Sequence, residues 1–135
     1  HVGLGTFSSI DEEDIRKHKM HAEFFSVSAQ TISQLQIFQQ NQQCIIGLGT
    51  TSVRVLETLA LKNFQVSSGW TDIFIYPPHK FRIVNGLLTN FHLPKSTLLI
   101  LVSAFCGRNF ILGAYQQAAT EKYRFLSYGD CMMIL

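Results

Sequence analysis

The sequence predicts an α/β fold in which a mixed, mostly parallel sheet is flanked by helices. Stretches with helical and strand-like spacing of apolar residues alternate along the chain. The apolar run at residues 44–49 ends in glycine, which is typical of a buried parallel strand. A single Asn-Gly pair, Asn85 and Gly86, predicts one tight hairpin. The hairpin requires one antiparallel pair, so the predicted sheet is mixed.

The first half of the chain is predicted to alternate between strands and helices. Acidic residues open the first segment, where they favour a helix N-terminus. Aromatic and β-branched residues favour the first strand, and a serine then provides a helix cap. The next helix is predicted to be capped by Thr50 or Thr51. The predicted elements are a short helical segment at 11–17, a strand at 23–27, a helix at 28–40, a strand at 44–49 and a helix at 50–62.

The second half is predicted to add strands, two helices and a final strand. Pro77 and Pro78 stop one strand, and Gly107 ends an apolar helix that Pro94 and Ser96 open. The predicted elements are strands at 71–76, 81–84 and 87–91, helices at 94–105 and 110–122, and a strand within 127–135.

Composition limits the class of protein. With 135 residues the chain forms one domain, and 47% hydrophobic against 15% charged residues excludes intrinsic disorder. A net charge of +2 neither indicates nor excludes nucleic-acid binding. Three dispersed cysteines, Cys44, Cys106 and Cys131, predict a reduced, cytoplasmic protein without a thiolate zinc site. The longest apolar run, 98–102, is too short to span a membrane. The absence of an initiator Met or signal sequence suggests a fragment.

The tetrapeptide Gly-Leu-Gly-Thr occurs twice, each time after a strand-like run. Glycines there allow close backbone approach to a ligand and expose N–H groups to an anion. Since ligands collect beyond the carboxyl ends of parallel strands, both copies are expected to form the wall of one pocket. Two ordinary tight turns are the alternative. The residues concerned are Gly3, Gly5, Thr6, Gly47, Gly49 and Thr50.

Hydroxyl side chains follow the second copy. Thr50, Thr51 and Ser52 lie at a predicted helix start, where hydroxyls and free N–H groups suit an anion or a ribose. Arg54 adds a bidentate donor for phosphate or carboxylate. The glycines are not followed by Gly-Lys-Ser/Thr, so this is not a P-loop. The alternative is that the hydroxyls only cap the helix.

Three further segments carry residues suited to proton transfer. In HKMHAE, the spacing of His18 and His21 does not match a helical zinc motif, and a polar loop is the preferred interpretation. His21 and Glu23 could instead form an acid–base pair. His92 lies in a strand–helix junction, where turn chemistry is the alternative. Asp130 next to an apolar tail is expected to have a raised pKa, as a base would.

Six segments, in order from His1 to Leu135, resemble the C-terminal part of the S-adenosylmethionine:tRNA ribosyltransferase-isomerase family of the queuosine pathway. They are HVGLGTF, HKMHAE, GTTSVRVLE, TDIFIYP, TNFHLPKSTLLILVSAF and YRFLSYGDCMMI. The resemblance implies transfer of the ribosyl part of S-adenosylmethionine to 7-aminomethyl-7-deazaguanine in the tRNA anticodon. Epoxyqueuosine would form, with adenine and methionine released. A non-catalytic nucleotide- or tRNA-binding module of the same fold is the alternative.

The resemblance also implies a two-domain protein with a β-barrel inserted in its N-terminal half. Residues 1–135 would form the C-terminal part of the α/β catalytic domain, without the barrel and inactive alone. The full-length parent is expected to be a monomer, whereas the isolated chain, lacking its other half, is expected to self-associate.

The resemblance implies roles for residues already named. S-adenosylmethionine would be a co-substrate and no metal is expected. Removal of the C5′ proton needs a general base. The candidate bases are His21, Glu23, His92 and Asp130. Glycines, hydroxyls and Arg54 would bind ribose and the methionine carboxylate. The aromatic rings of Phe91 or Tyr128 would stack on a base. The tRNA backbone would meet Lys80, Arg82, Lys95 and Arg124.

Overall fold

The computed structural model describes Ile10 and residues 14–135. Helices and strands alternate through most of this region, as predicted. Asp14 caps a short 3₁₀ turn, Ile15–Lys17, within the predicted first helical segment. The elements are β1 (Glu23–Ser26), α1 (Ala29–Gln40), β2 (Ile46–Leu48), α2 (Thr50–Leu61), β3 (Ser68–Thr71), β4 (Gly86–Asn90), α3 (Thr97–Cys106), α4 (Arg108–Thr120) and β5 (Cys131–Ile134).

The described strands form two sheets. A three-stranded sheet has the order β2-β4-β5, with β2 parallel and β5 antiparallel to the central β4. Strands β1 and β3 form a separate antiparallel ribbon. The predicted α/β class with a mixed sheet is confirmed. Among the described residues only the β2–β4 pair is parallel, so the fold is less parallel than predicted.

Helices cover one face of the three-stranded sheet. Leu87 of β4 is fully buried against Val53 of α2 and Val102 of α3, which are also fully buried, and Ile111 of α4 joins this cluster. Burial of each such side chain stabilises the fold by roughly 1.5–3 kcal/mol. Gly107 ends α3 and begins α4 at a φ of 85°, a left-handed conformation that favours glycine. The packing fixes the starts of α2 and α3 relative to the sheet.

The predicted hairpin around Asn85 and Gly86 is wrong. Residues 81–84 form no strand, because the Glu57 carboxylate accepts the backbone N–H groups of Arg82, Ile83 and Val84 at 2.9–3.1 Å. Asn85 instead bonds the residue before β2 through both its side chain (2.9 Å) and its backbone N–H (2.8 Å). A buried carboxylate therefore takes the donors that a second hairpin strand would have used.

The predicted strand at 71–76 is also displaced. The observed β3 ends at Thr71, and the following residues are irregular although Ile75 is buried in the core. The Ile73 carbonyl accepts from the Arg54 Nε atom at 3.3 Å. The Ile73 N–H donates to the Thr71 hydroxyl, also at 3.3 Å. Side chains thus satisfy backbone groups that a strand ladder would otherwise pair.

No single helix among residues 10 and 14–135 is long and apolar enough to cross a membrane; α3 and α4 pass that test only together, and they are bent by 113°.

Candidate active site

A cavity of about 370 Å³ lies where β2 and β4 end. These strands are parallel neighbours, so their carboxyl ends share one edge of the sheet, the usual location of ligands in α/β folds. The β2–α2 turn, the segment from β4 to α3 and the loop before β5 supply its wall. Residues of the wall include Gly49, Thr50, Asn90, His92, Ser96 and Ser127.

The β2–α2 turn is built around two glycines of the second Gly-Leu-Gly-Thr copy. Gly49 has a φ of 81°, and its N–H donates to the Leu88 carbonyl at 2.8 Å. A Cβ atom on Gly47 would lie 2.6 Å from the Val53 Cγ2 atom, so glycine lets α2 pack closely on β2. Among the described residues no side chain caps α2, so within this part of the chain the N–H groups of its first turn are available to an anion.

The three hydroxyl residues at this turn differ in position. Thr50 is buried and lines the cavity. The Ser52 hydroxyl donates to the Leu48 carbonyl at 2.7 Å, and neither it nor Thr51 lines the cavity. The predicted cap by Thr50 or Thr51 is wrong, because Gly49 occupies the N-cap position of α2.

His92 is the predicted base that the fold places in the cavity wall. Its Nε2 atom lies 2.9 Å from the Thr89 hydroxyl, and its backbone N–H donates to the Tyr115 hydroxyl at 2.9 Å. Burial lowers the pKa of His92 from 6.5 to about 4, because the charged imidazolium is poorly solvated there. The ring is therefore neutral at pH 7 and can accept a proton.

Glu23 and Arg54 form an ion pair away from the cavity wall. The Arg54 Nη1 atom donates to the Glu23 carboxylate, and the two side chains are only 4% and 10% exposed. Neither residue lines the cavity. The guanidinium thus meets a carboxylate of β1, and the site roles predicted for Glu23 and Arg54 stay predictions.

His21 is exposed and lies outside the cavity wall. Glu23 bonds Arg54, and no hydrogen bond joins Glu23 to His21 among the described residues, so the acid–base pair predicted for these two stays a prediction. Neighbouring His18 contacts the Phe74 ring at 5.3 Å between centroids. Residues 10 and 14–135 contain no group of three or more His, Cys, Asp or Glu side chains that could hold a metal ion.

Asp130 also differs from its predicted state. Its carboxylate accepts the Arg124 backbone N–H at 2.7 Å and the Nη2 atom of the same residue at 3.0 Å. These hydrogen bonds lower the pKa of Asp130, so the predicted rise is wrong. Asp130 is ionised at neutral pH and already occupied by Arg124.

The four basic residues predicted to bind tRNA fall into two groups. Lys95 is exposed beside the cavity residue Ser96, and Arg124 is exposed in the loop before β5. Lys80 and Arg82 lie on the segment that precedes β4, at the other end of the sheet, and line a depression of about 610 Å³. The four basic residues therefore do not form a single surface patch.

Two other predictions have different outcomes. Phe91 is 5% exposed and stacks on Phe125 at 5.0 Å, so its predicted stacking on a base is wrong. Tyr128 is fully exposed and remains available. The first Gly-Leu-Gly-Thr copy, with Gly3, Gly5 and Thr6, lies outside the described residues, so its predicted convergence on the cavity stays a prediction.

Sequence reasoning missed two residues that hold His92. Thr89 stands three positions before it, at the end of an apolar strand, and this spacing was a usable local signal. Tyr115 comes from α4, 23 positions away, and nothing local in the sequence connects it to His92.

A family model described as "Queuosine biosynthesis protein" matches residues 1–134. The chain belongs to this family. Curated members named S-adenosylmethionine:tRNA ribosyltransferase-isomerase include one from Sulfurihydrogenibium sp. (strain YO3AOP1), 56% identical over 100% of this chain and 40% of the relative. Another from Thermosipho africanus is 55% identical over 99% of this chain and 40% of the relative. The chain therefore spans about 40% of the length of these family members.

A solved structure extends the family comparison to the fold. The crystal structure of an S-adenosylmethionine tRNA ribosyltransferase from Thermotoga maritima superposes with a TM-score of 0.76 at 45% sequence identity. The superposition covers 83% of this chain and 40% of the crystallised chain. The fold of most of this chain is thus similar to that of a solved S-adenosylmethionine tRNA ribosyltransferase.

Proposed function

We propose that this chain is part of an S-adenosylmethionine:tRNA ribosyltransferase-isomerase and that its cavity belongs to the active site. The family match over residues 1–134 carries the proposal. The reaction would transfer the ribosyl part of S-adenosylmethionine to 7-aminomethyl-7-deazaguanine in tRNA, yielding epoxyqueuosine, adenine and methionine. The relatives are longer, so the chain would supply the C-terminal part of the catalytic domain.

The chemistry of the cavity suits a sulfonium nucleoside. Its volume of about 370 Å³ lies within the range of small-molecule sites. The substrate carries a carboxylate and ribose hydroxyls but no phosphate. The uncapped start of α2 favours the carboxylate, and the Thr50 hydroxyl and Asn90 amide are partners for the ribose. Gly3, Gly5 and Thr6 of the first copy would complete the wall.

His92 is our choice for the general base among the four candidates. Glu23 and Asp130 bind arginines, and His21 lies outside the wall. A neutral imidazole in the wall can accept the C5′ proton, which the adjacent sulfonium acidifies. The Thr89 hydroxyl orients the ring, and the Tyr115 hydroxyl holds the backbone of His92. A substrate carboxylate near the ring would raise its pKa towards the working pH.

The tRNA would approach from the cavity side. Lys95 and Arg124 are the nearer basic residues, and Lys80 and Arg82 would meet backbone phosphates farther along the RNA. Because tRNA and S-adenosylmethionine are the substrates, the reaction is expected in the cytoplasm. No metal is required for the proposed proton transfer.

The decisive experiment measures adenine release. In a chimera, this chain replaces the matched 41% of the Thermotoga maritima relative. The chimera is incubated with S-adenosylmethionine and tRNA that carries 7-aminomethyl-7-deazaguanine. We expect adenine and methionine in equal amounts, matched by epoxyqueuosine in the tRNA. If the chimera folds and binds tRNA without releasing adenine, the non-catalytic binding module is the better description.

A substitution then tests the base. His92→Gln is expected to lower kcat by about 10²–10⁴-fold while tRNA binding changes little, since general-base catalysis contributes in that range. His21→Gln is the matched control, because His21 is exposed outside the cavity wall. Equal kcat values for His92→Gln and the unsubstituted chimera would exclude His92 as the base.

A further inference from the structure

The loop between α4 and β5 is closed on itself at residues 124 and 130. The Arg124 N–H donates to the Asp130 carboxylate at 2.7 Å, and the Asp130 N–H donates back to the Arg124 carbonyl at 2.8 Å. Inside this neck the Gly129 N–H donates to the Leu126 carbonyl at 3.0 Å. Backbone and side-chain bonds therefore define one conformation for a short surface loop.

The same loop is tied to the end of β4. The Leu126 N–H donates to the Phe91 carbonyl at 2.9 Å, and the Asn90 side chain donates to the Asp130 carbonyl at 3.2 Å. Leu126 and Ser127 consequently stand in the cavity wall beside Asn90. The loop is thus part of the site and moves only if its bonds to β4 break.

Two residues of this loop have a strained backbone. Leu126 and Tyr128 have φ angles of 70° and 65°, in the left-handed region that side chains other than glycine rarely adopt. A Cβ atom on Gly129 would lie 2.5 Å from the Arg124 carbonyl oxygen, so no larger residue fits there. Strain of this kind persists only where surrounding bonds impose it, and it is common at ligand sites.

The strained conformation presents an aromatic ring to solvent. Tyr128 is 100% exposed, and its Cα atom is about 3.8 Å from that of the wall residue Ser127. Full exposure of a tyrosine forgoes the burial that other rings of this region have, such as Phe91 and Phe125. A fully exposed planar ring, next in sequence to a residue of the cavity wall, is suited to stacking on a nucleobase.

We propose that the loop 124–130 is a preformed platform on which the Tyr128 ring stacks on a purine at the cavity mouth. Arg124 and Asp130 act as positioning residues that hold the platform. The inference rests on the proposed function, which supplies two purine-type sources: the adenine of the sulfonium nucleoside and the modified base of the RNA. It assigns Asp130 to the loop, and not to proton transfer.

Substitution of the ring tests the platform in the active chimera. Tyr128→Ala is expected to raise the KM of one substrate about tenfold, the loss of one base–aromatic stack, whereas Tyr128→Phe changes it less than threefold. A rise in the KM for tRNA identifies the RNA base, and a rise in the KM for S-adenosylmethionine identifies adenine. Unchanged KM values for both substrates in Tyr128→Ala would overturn the proposal.

Binding to the 135-residue chain separates this proposal from the proposed function. Kd values are measured for S-adenosylhomocysteine and for an anticodon stem-loop RNA, with or without the 7-deazaguanine base. Tyr128→Ala should weaken one ligand about tenfold, even if the chimera releases no adenine. Equal Kd values for the Ala and Phe variants with every ligand would count against stacking.

Loop variants test the positioning role. Gly129→Ala should break the neck and raise the same KM or Kd as Tyr128→Ala, while Gly113→Ala, which has open space around it, should not. Asp130→Asn keeps an oxygen that can accept the Arg124 N–H, so it should retain kcat within about threefold and rescue the defect of Asp130→Ala. Loss of kcat in Asp130→Asn, with KM unchanged, would instead make Asp130 a base.

Discussion

His92 links the chemistry of the cavity to the pH dependence of stability. The pKa of His92 is about 4 in the folded chain, against 6.5 in an unfolded one, because burial penalises the cation. Between these values the unfolded chain binds the extra proton. The free energy of unfolding therefore has its full value above pH 6.5. It falls as the pH is lowered towards 4, by no more than about 3 kcal/mol.

The effect of His92 on stability can be measured by unfolding the chain at different pH values. Urea unfolding of the 135-residue chain should show a free energy of unfolding that falls as the pH is lowered from 7 to 4.5. His92→Gln should flatten this dependence, and the control His21→Gln should leave it unchanged, since His21 is exposed. The lowered pKa of Asp130 acts below about 3.8 and does not interfere. An equally steep fall in His92→Gln would show that another group titrates.

The Glu23–Arg54 pair is expected to stabilise α2 against the β1–β3 ribbon. Arg54 is 3% exposed, and its partner comes from β1. Removing one member of a buried pair leaves the other charge uncompensated, so Arg54→Ala or Glu23→Ala should each lower the free energy of unfolding by about 3–5 kcal/mol. The double variant should cost clearly less than the sum of the two, as urea unfolding can measure.

An exposed pair serves as the control. Asp14 and Arg16 are joined at 2.8 Å on the surface, and Arg16→Ala should change the unfolding curve little. Additive effects of Glu23→Ala and Arg54→Ala would contradict a coupled pair. A loss of substrate binding in Arg54→Lys with unchanged stability would restore the direct role that the sequence suggested for this arginine.

At the scale of elements, one buried carboxylate sets the path of the chain into β4. Glu57 of α2 is fully buried, and it accepts three successive backbone N–H groups of the segment 79–84. Its carboxylate also lies 3.5 Å from the His79 ring. The segment leads directly into β4 and so into the cavity wall, which makes Glu57 a structural support for the site.

We expect Glu57→Ala to lower the free energy of unfolding by at least about 3 kcal/mol, because three backbone donors, two of them buried, lose their acceptor. Glu57→Gln should cost less, since one amide oxygen remains. Hydrogen exchange at the amides of residues 82–84 should accelerate in both. Glu121→Gln, on the exposed surface, is the control. Unaltered exchange at residues 82–84 in Glu57→Ala would show that these amides have other acceptors.

Local patterns explain which elements were predictable. The cap of α1 by Ser28, the cap of α3 by Ser96 and the end of α3 at Gly107 follow from residues within one turn of each boundary. The false strand at 81–84 has the right apolar alternation, but Glu57 binds its N–H groups from 25 positions away. Tertiary hydrogen bonds of this kind have no signature in a local window.

The candidate site also contains residues that local patterns predict and residues whose state depends on distant partners. Gly49, Thr50 and His92 lie next to strand ends, so strand prediction alone places them together once β2 and β4 pair. The partners of Arg54 and Asp130 decide the state of those two residues, and neither partnership is visible from spacing. Glu23 is 31 positions from Arg54, and the Asp130 neck depends on left-handed residues that propensity disfavours.

At the scale of the whole molecule, one face of the three-stranded sheet is apolar and largely exposed in the part of the chain that the structure describes. Leu48, Leu88 and Met133 stand side by side across β2, β4 and β5, and the outer two side chains are 67% and 51% exposed. Leu135 and Ile46 meet over Gly86 on the same face. A contiguous exposed apolar patch is typical of an interface. The chain spans only about 40% of the length of its relatives.

The isolated chain is therefore expected to self-associate through this face. Light scattering should give a mass that rises with concentration, and the double variant Leu48→Lys, Met133→Lys should keep the mass of one chain because it places two charges on the face. Phe110→Lys is the matched control: Phe110 is 69% exposed on α4, off the sheet, so association should persist. The Thermotoga maritima chimera, which restores the remaining length, should be monomeric. A constant single-chain mass for the unsubstituted protein, or equal disruption by Phe110→Lys, would show that the sheet face does not drive association.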